Sequence, residues 1–163
     1  MTLYFRTMLL LVVLLLSGNT LTLAQTADEK AVREVVLKNA EAFEKGDLAL
    51  MDKIWADDEK VTVIEAGNFD YGWRNFRDKH LGPELKAMQN RKFTLSDIRV
   101  HVKDKTAWAT FAYKIEADFN GRHIDADGAG TMVMEKIKGE WRIAMYLTSG
   151  KRRPTTPSPE KKI

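Results

Sequence analysis

Apolar residues recur three and four positions apart at Val32, Val35, Val36, Ala40 and Phe43, the stripe of an amphipathic helix with one face in a core. Thr26-Ala27-Asp28-Glu29 has the form of a capping box at its start, and Gly46 stops it. Asp47 can cap a second, shorter helix that buries Leu48, Met51, Ile54 and Trp55 before the charged stop Asp57-Asp58-Glu59-Lys60. Val61 to Ala66 then reads as a strand, Asn68 to Tyr71 as a short partner, and Gly67 and Gly72 punctuate them. Helical spacing returns at Trp73, Phe76, His80 and Leu81, and Pro83 restarts a turn toward Leu85 and Met88.

After Asn90 the period drops to two. Four long strands follow, Phe93 to Lys103, Thr106 to Phe119, Arg122 to Lys136 and Trp141 to Ser149, with turn signals at Asp104-Lys105, Asn120-Gly121 and Lys138-Gly139. Short turns mean sequential antiparallel pairing. Helices first and a meander after predict an α+β fold, with the N-terminal helices packed on one face of a curved antiparallel sheet.

Counting outward from two-residue turns assigns the faces of that sheet. One collects Ile98, Val100, Phe111, Tyr113, Met132, Met134, Trp141, Ile143, Met145 and Leu147, and is the face the helices cover. Its parity changes between Leu95 and Ile98, which predicts a β-bulge near Ser96-Asp97. Gly128 opposite Tyr113 and Gly130 opposite Phe111 leave room in the resulting concavity. The other face is charged near Asn120-Gly121, with Asp118 opposite His123 and Lys114 opposite Asp127. It then becomes Trp108, Ala112, Ala129, Thr131, Val133, Ala144 and Tyr146. A small-residue and aromatic patch on an uncovered sheet predicts a homodimer through the outer face.

The two ends read differently. A basic start to Arg6, an apolar run from Met8 to Leu16 and a small-residue close at Thr22-Leu23-Ala24 make residues 1–24 a cleavable signal peptide, hence a secreted or periplasmic protein. The apolar run is shorter than the roughly 20 residues a spanning helix needs, so no stable membrane insertion is expected after cleavage. Residues 151–163, KRRPTTPSPEKKI, hold three of the four prolines and set five basic residues against Glu160, the composition of a disordered tail. At +4 the tail outweighs the whole chain's net charge of +3 and accounts for the pI near 9.0, leaving residues 25–150 slightly acidic. The basic balance therefore marks no nucleic-acid face, which needs Lys and Arg clustered on a folded element. The absence of cysteine excludes disulfides, zinc-thiolate sites, iron-sulfur clusters and thiol nucleophiles.

Lys45-Gly46-Asp47 after a long helix, a short helix running into Trp55-Ala56-Asp57-Asp58, and a last strand opening Gly139-Glu140-Trp141-Arg142-Ile143 resemble the nuclear transport factor 2-like superfamily, and within it the SnoaL-like domains. The likeness covers about residues 27 to 149. It implies a cone-shaped, cystatin-like scaffold, often dimeric through the outer sheet face, that serves isomerases, cyclases, hydratases and non-catalytic binding modules. Many SnoaL-like relatives carry His two and four positions beyond the Ile of the Trp-Arg-Ile motif. Here those positions hold Met145 and Leu147, which favours a filled core or an apolar ligand cavity.

Glu65 shares strand parity with Val61 and Val63, and the resemblance to ketosteroid isomerase-like proteins places a general base near that strand end. A carboxylate there, raised by apolar walls, can shuttle a proton alpha to a carbonyl; the alternative is a solvated strand-end Glu. Tyr113 can donate to a developing oxyanion or can be a core tyrosine bonded to backbone. His80, on the apolar side of its helix, can act as acid, base or ligand donor, or be structural. Phe111, Met132, Met145, Leu147 and Trp73 are the expected ligand-lining residues. The His123-x-Asp125-x-Asp127 run has metal-like spacing, but its face count puts it opposite Lys114, so no metal is expected there. No phosphate-loop, dinucleotide, HExxH or GxSxG motif occurs, and no cofactor is expected. Three functions remain open: an exported SnoaL-like domain binding a small apolar molecule, a cofactor-free isomerase, cyclase or hydratase using Glu65 with Tyr113 or His80, or a protein-interaction module on the outer face.

Overall fold

The computed structural model describes residues 26–152; the expected signal peptide and the tail beyond residue 152 lie outside the described residues. Helix α1 occupies 26–45, and its stripe of Val32, Val36 and Ala42 is fully buried. Gly46 ends it with φ +68, a left-handed backbone that favours glycine. The Asp47 carboxylate accepts from the Leu50 backbone N–H at 2.9 Å and caps α2, Leu48–Ile54.

Strands β1 (Thr62–Glu65) and β2 (Asn68–Tyr71) form a hairpin. The chain then turns through α3 (Trp73–Phe76), a single π-helical stretch (Arg77–Leu81) and α4 (Gly82–Ala87). Pro83 sits in the first turn of α4, as expected, but the helical path runs into it without a break and widens at the π stretch. Gly82 suits that widening, because a Cβ there would lie 2.9 Å from the Arg77 carbonyl oxygen. Strands β3 (Met88–Lys103), β4 (Thr106–Phe119), β5 (Arg122–Ile137) and β6 (Glu140–Arg152) complete a six-stranded sheet in the order β2-β1-β6-β5-β4-β3. The meander is antiparallel, as its turns require, but β1 joins β6 in parallel, so the sheet is mixed. Helices cover its concave side, giving the α+β cone.

Three irregularities shape that concavity. The expected bulge at Ser96-Asp97 is present, with a register shift between Ser96 and Arg99 and Asp97 at φ +50. A second shift sits between Gln89 and Lys92, with Asn90 at φ +52. The third corrects the face assignment. Val133 pairs with Met145 but Met134 pairs with Ile143, leaving Ala144 as an extra residue in β6. Parity flips there: Trp141 and Ile143 point into the core, and beyond the bulge Tyr146 does so too. Met145 and Leu147 share the outer face with their partners Val133 and Thr131. A bulge of this kind in a half-apolar strand reverses every later side chain without altering composition.

The two glycines expected to open space are filled. A Cβ on Gly130 would lie 2.5 Å from the Phe111 ring, and one on Gly128 would lie 2.2 Å from the Ser149 carbonyl oxygen. Strand β6 also continues into the expected tail, since Asp127 pairs with Lys151 and Ala126 with Arg152. Among the described residues no helix is long and apolar enough to cross a membrane.

Candidate functional site

The cone holds a cavity of about 130 Å³ between the concave sheet and the helices. Phe43, Met51, Phe76 and Leu81 form its helical walls, Trp55 at the end of α2 closes one side, and Met88, Phe93 and Ile115 line it from the sheet. The polar atoms that reach it come from Asn39, Glu65, Glu84, Tyr113, Tyr146 and Thr148.

Glu65 is there because β1 pairs with β6 in parallel register, setting Val63 beside Tyr146 and Glu65 beside Thr148. Burial raises the Glu65 carboxyl from 4.5 to about 7; the Glu84 and Asp70 charges push the same way, while His80 and the hydrogen bond from Thr148 oppose. Tyr113 stacks on Phe93 with ring centroids 5.3 Å apart. Its hydroxyl lies so close to Gly150 that a Cβ there would be 2.3 Å away. Burial, then the charges of Glu65 and Asp127, raise the Tyr113 hydroxyl above its ordinary range, so it remains a donor at neutral pH. Tyr146 is fully enclosed and its hydroxyl is raised further, by burial and then Glu65.

His80 stands beside the cavity, not in its lining. Its Nδ1 lies 2.7 Å from Asp70 Oδ2, its Nε2 lies 3.9 Å from Glu84 Oε2, and its ring packs edge-on to Phe76. Burial works against a charged ring, but the Asp70 hydrogen bond and the charges of Asp70, Glu65 and Glu84 outweigh it and raise the imidazole. Burial likewise raises Glu84, with His80 opposing.

The three residues expected to do chemistry, Glu65, Tyr113 and His80, thus gather at one end of the cone. The expected ligand walls do not. Phe111 and Met132 are buried in the core beneath the cavity. Trp73 is a core residue stacked on Trp55 at 4.7 Å, its indole N–H donating to Asp52 at 2.8 Å. Met145 and Leu147 face outward. The floor expected to be apolar is instead Tyr146 and Thr148. Glu84, Asp70, Thr148 and Asn39 were not anticipated. Glu84 alone had a sequence signal, standing four residues after His80 on a helix. Asn39 accepts the Trp55 indole N–H at 2.9 Å and is the only buried polar residue of the described core.

The family model for the SnoaL-like domain matches residues 32–150. The chain belongs to the SnoaL-like family. Solved structures agree with that fold. A nuclear transport factor 2-like superfamily protein from Salmonella enterica superposes on this SnoaL-like chain with TM-score 0.72 at 20% identity, covering 85% of this chain and 99% of that one. A candidate dehydratase of the same superfamily from Streptomyces avermitilis gives TM-score 0.69 at 20% identity, over 77% and 97%. A candidate ketosteroid isomerase from Shewanella frigidimarina gives 0.60 at 21% identity, over 71% and 92%. No curated protein sequence matches the SnoaL-like chain.

Proposed function

We propose that this SnoaL-like protein is exported and binds a small, largely apolar molecule in its cone, with the molecule's polar end directed at Glu65. The observation that carries the reading is the cavity itself, whose walls are mostly aromatic and aliphatic and whose polar groups Glu84, Tyr113, Tyr146 and Thr148 all interact with Glu65. At about 130 Å³ it is smaller than the roughly 300 to 1,000 Å³ of drug-sized sites, so the ligand is a compact one. Native mass spectrometry of the purified protein tests the reading: a co-purified small molecule should be present, and Ile115→Trp, which fills the cavity, should lose it. A wild-type protein that carries and takes up no small molecule overturns it.

Acid–base chemistry is the second reading, supported by a carboxylate and a tyrosine hydroxyl at the same end of an apolar pocket. Glu65 would take a proton alpha to a carbonyl while Tyr113 donates to the oxygen that gains charge. The candidate isomerase and dehydratase among the structural neighbours make that chemistry a reasonable one to assay. Deuterium exchange alpha to the carbonyl of small ketones in D2O, lost in Glu65→Gln, is the expected result; an equal rate with and without the protein refutes it.

For assembly, the outer sheet face favours a homodimer more strongly than sequence parity suggested. The bulge exchanges Tyr146 for Met145 and Leu147 there, and the registers align Tyr71, Thr62, Met145, Val133 and Trp108 in one row across the sheet. Phe69, Tyr71 and Trp108 are exposed by 57%, 60% and 41%.

A further inference from the structure

We propose that Glu65, His80 and Glu84 bind one divalent first-row transition metal at the polar end of the cone, with Asp70 positioning the imidazole. The three side chains come from β1, the π-helical stretch and α4, and each offers one ligand atom within 4.8 Å of the other two. Three ligands around a tetrahedral ion with bonds of about 2.0 to 2.1 Å stand about 3.4 Å apart. Small side-chain rotations would therefore close the set onto an ion, and the His80 Nε2 to Glu84 Oε2 distance is already 3.9 Å.

Two further features point to a cation. The first is the imidazole's orientation. Asp70 Oδ2 lies 2.7 Å from Nδ1 of His80 and can hold the proton there, so that Nε2, 3.9 Å from Glu84 Oε2, is the nitrogen a cation would take once it displaces the Nε2 proton. A histidine ligand held by a carboxylate on its far nitrogen is the usual second layer of a protein metal site. The second is charge. Three carboxylates, Glu65, Glu84 and Asp70, surround one imidazole. Arg77, on the same stretch, is committed elsewhere: its Nη1 donates to Asp52 and its Nε to Asp78. A divalent ion would take the place of the protons that burial and mutual repulsion now keep on this cluster. The π stretch has a local role as well, because its wider turn sets His80 and Glu84 on the side that meets β1, and such turns recur at functional positions.

Two carboxylates and an imidazole suit Zn²⁺ or Mn²⁺ better than Mg²⁺, which prefers an all-oxygen shell. Three protein ligands leave a coordination position open. Since Glu65 and Glu84 both line the cavity, that position opens into it and can take an oxygen of a bound molecule. The ligand class narrows to a compact apolar compound ending in a carboxylate or carbonyl; this last step rests on the ligand-binding reading, whereas the metal site does not. A glutamate bound to a cation cannot also carry the substrate's proton, so the metal site and the acid–base reading are exclusive uses of Glu65.

Titration of the chelator-treated protein with ZnCl₂ by calorimetry tests the site, with MgCl₂ as contrast and thermal unfolding as a second readout. One Zn²⁺ per chain should bind with a Kd of about 10 μM or tighter and raise the Tm. His80→Ala and Glu84→Gln, both at half-exposed positions and checked for folding by circular dichroism, should each weaken binding at least about 10-fold. Asp70→Asn, which keeps all three ligands, should weaken it by about 10- to 100-fold. His123→Ala, remote on the outer face, should leave it unchanged. Absence of saturable Zn²⁺ binding below 1 mM, or binding undiminished in folded His80→Ala or Glu84→Gln, overturns the proposal. Either result leaves the co-purified ligand to be judged by mass spectrometry on its own terms.

Discussion

Replacing Glu65 by Gln in chelator-treated protein should change the pH dependence of stability in a defined window. In the folded protein the Glu65 carboxyl titrates near 7 against 4.5 for the free group, chiefly because burial disfavours the ion. The folded state thus holds a proton that the unfolded state releases, and linkage gives the sign. The contribution is fully present below pH 4.5 and is lost as pH rises to about 7, after which it is flat. At about 1.36 kcal/mol for each tenfold change in proton affinity, keeping the ionised carboxylate in the cone costs roughly 3 kcal/mol above pH 7. Gln removes the charge, keeps the shape and retains an oxygen that can accept from Thr148. The variant should match wild type near pH 4 and exceed it above pH 7 by up to about 3 kcal/mol, a Tm difference of roughly 10 °C. Releasing Glu84 and His80 from the Glu65 charge shifts their own titrations, so the difference between the two proteins, not either curve alone, is the quantity to read. Thermal unfolding by circular dichroism from pH 4 to 9 suffices. Parallel curves, with a constant offset across the window, would show that Glu65 is solvated and would refute the reasoning.

Val133→Arg should convert a dimer to monomer in sedimentation equilibrium, because a two-fold axis through the outer face brings both introduced charges into one apolar interface; a wild type that is monomeric at micromolar concentration defeats the prediction. Asn39→Leu should destabilise the fold by about 1 to 3 kcal/mol in urea unfolding, since it strands the buried Trp55 indole N–H whose acceptor is Asn39 at 2.9 Å; a loss under 0.5 kcal/mol would mean water replaces the side chain. N-terminal sequencing of the exported protein should begin at Gln25, as the small-residue site at Ala24 predicts, and recovery of intact Met1 in the membrane fraction would contradict it.

Local and periodic rules carried most of the fold. Helix α1 was legible because its stripe has a 3.6-residue period, α2 because Asp47 is a good cap, and the meander because Asp104, Asn120-Gly121 and Lys138-Gly139 adopt positive φ in two-residue turns that fix strand pairing. The bulge at Asp97 was legible because the apolar alternation itself breaks there. The bulge at Ala144 was not, since Met145, Tyr146 and Leu147 are all apolar enough for either face, and a strand with two plausible faces encodes no register. Only the pairing partners decide. Met134 holds Ile143 and Val133 holds Met145, which turns Tyr146 inward and moves two expected ligand walls to the outside.

The site divides along the same line. Glu65, Tyr113 and His80 could be named from the chain because each sits at an identifiable position on a strand or helix. What they meet could not be named. Thr148 comes beside Glu65 only through the parallel pairing of β1 with β6, and Asp70 meets His80 across ten residues through the fold of the β2 hairpin against the π stretch. Sequence spacing suggested a metal at His123-x-Asp125-x-Asp127, where face counting argued against it; it paired Glu65 with His80 only as possible acid–base partners and offered no reason to add Glu84 to them. The sequence alone determined which elements form, because propensity, capping and turn geometry act over a few residues. Tertiary structure decided which side chains share the cone, because that depends on strand register and crossing elements, whose energies are set by contacts between distant parts of the chain.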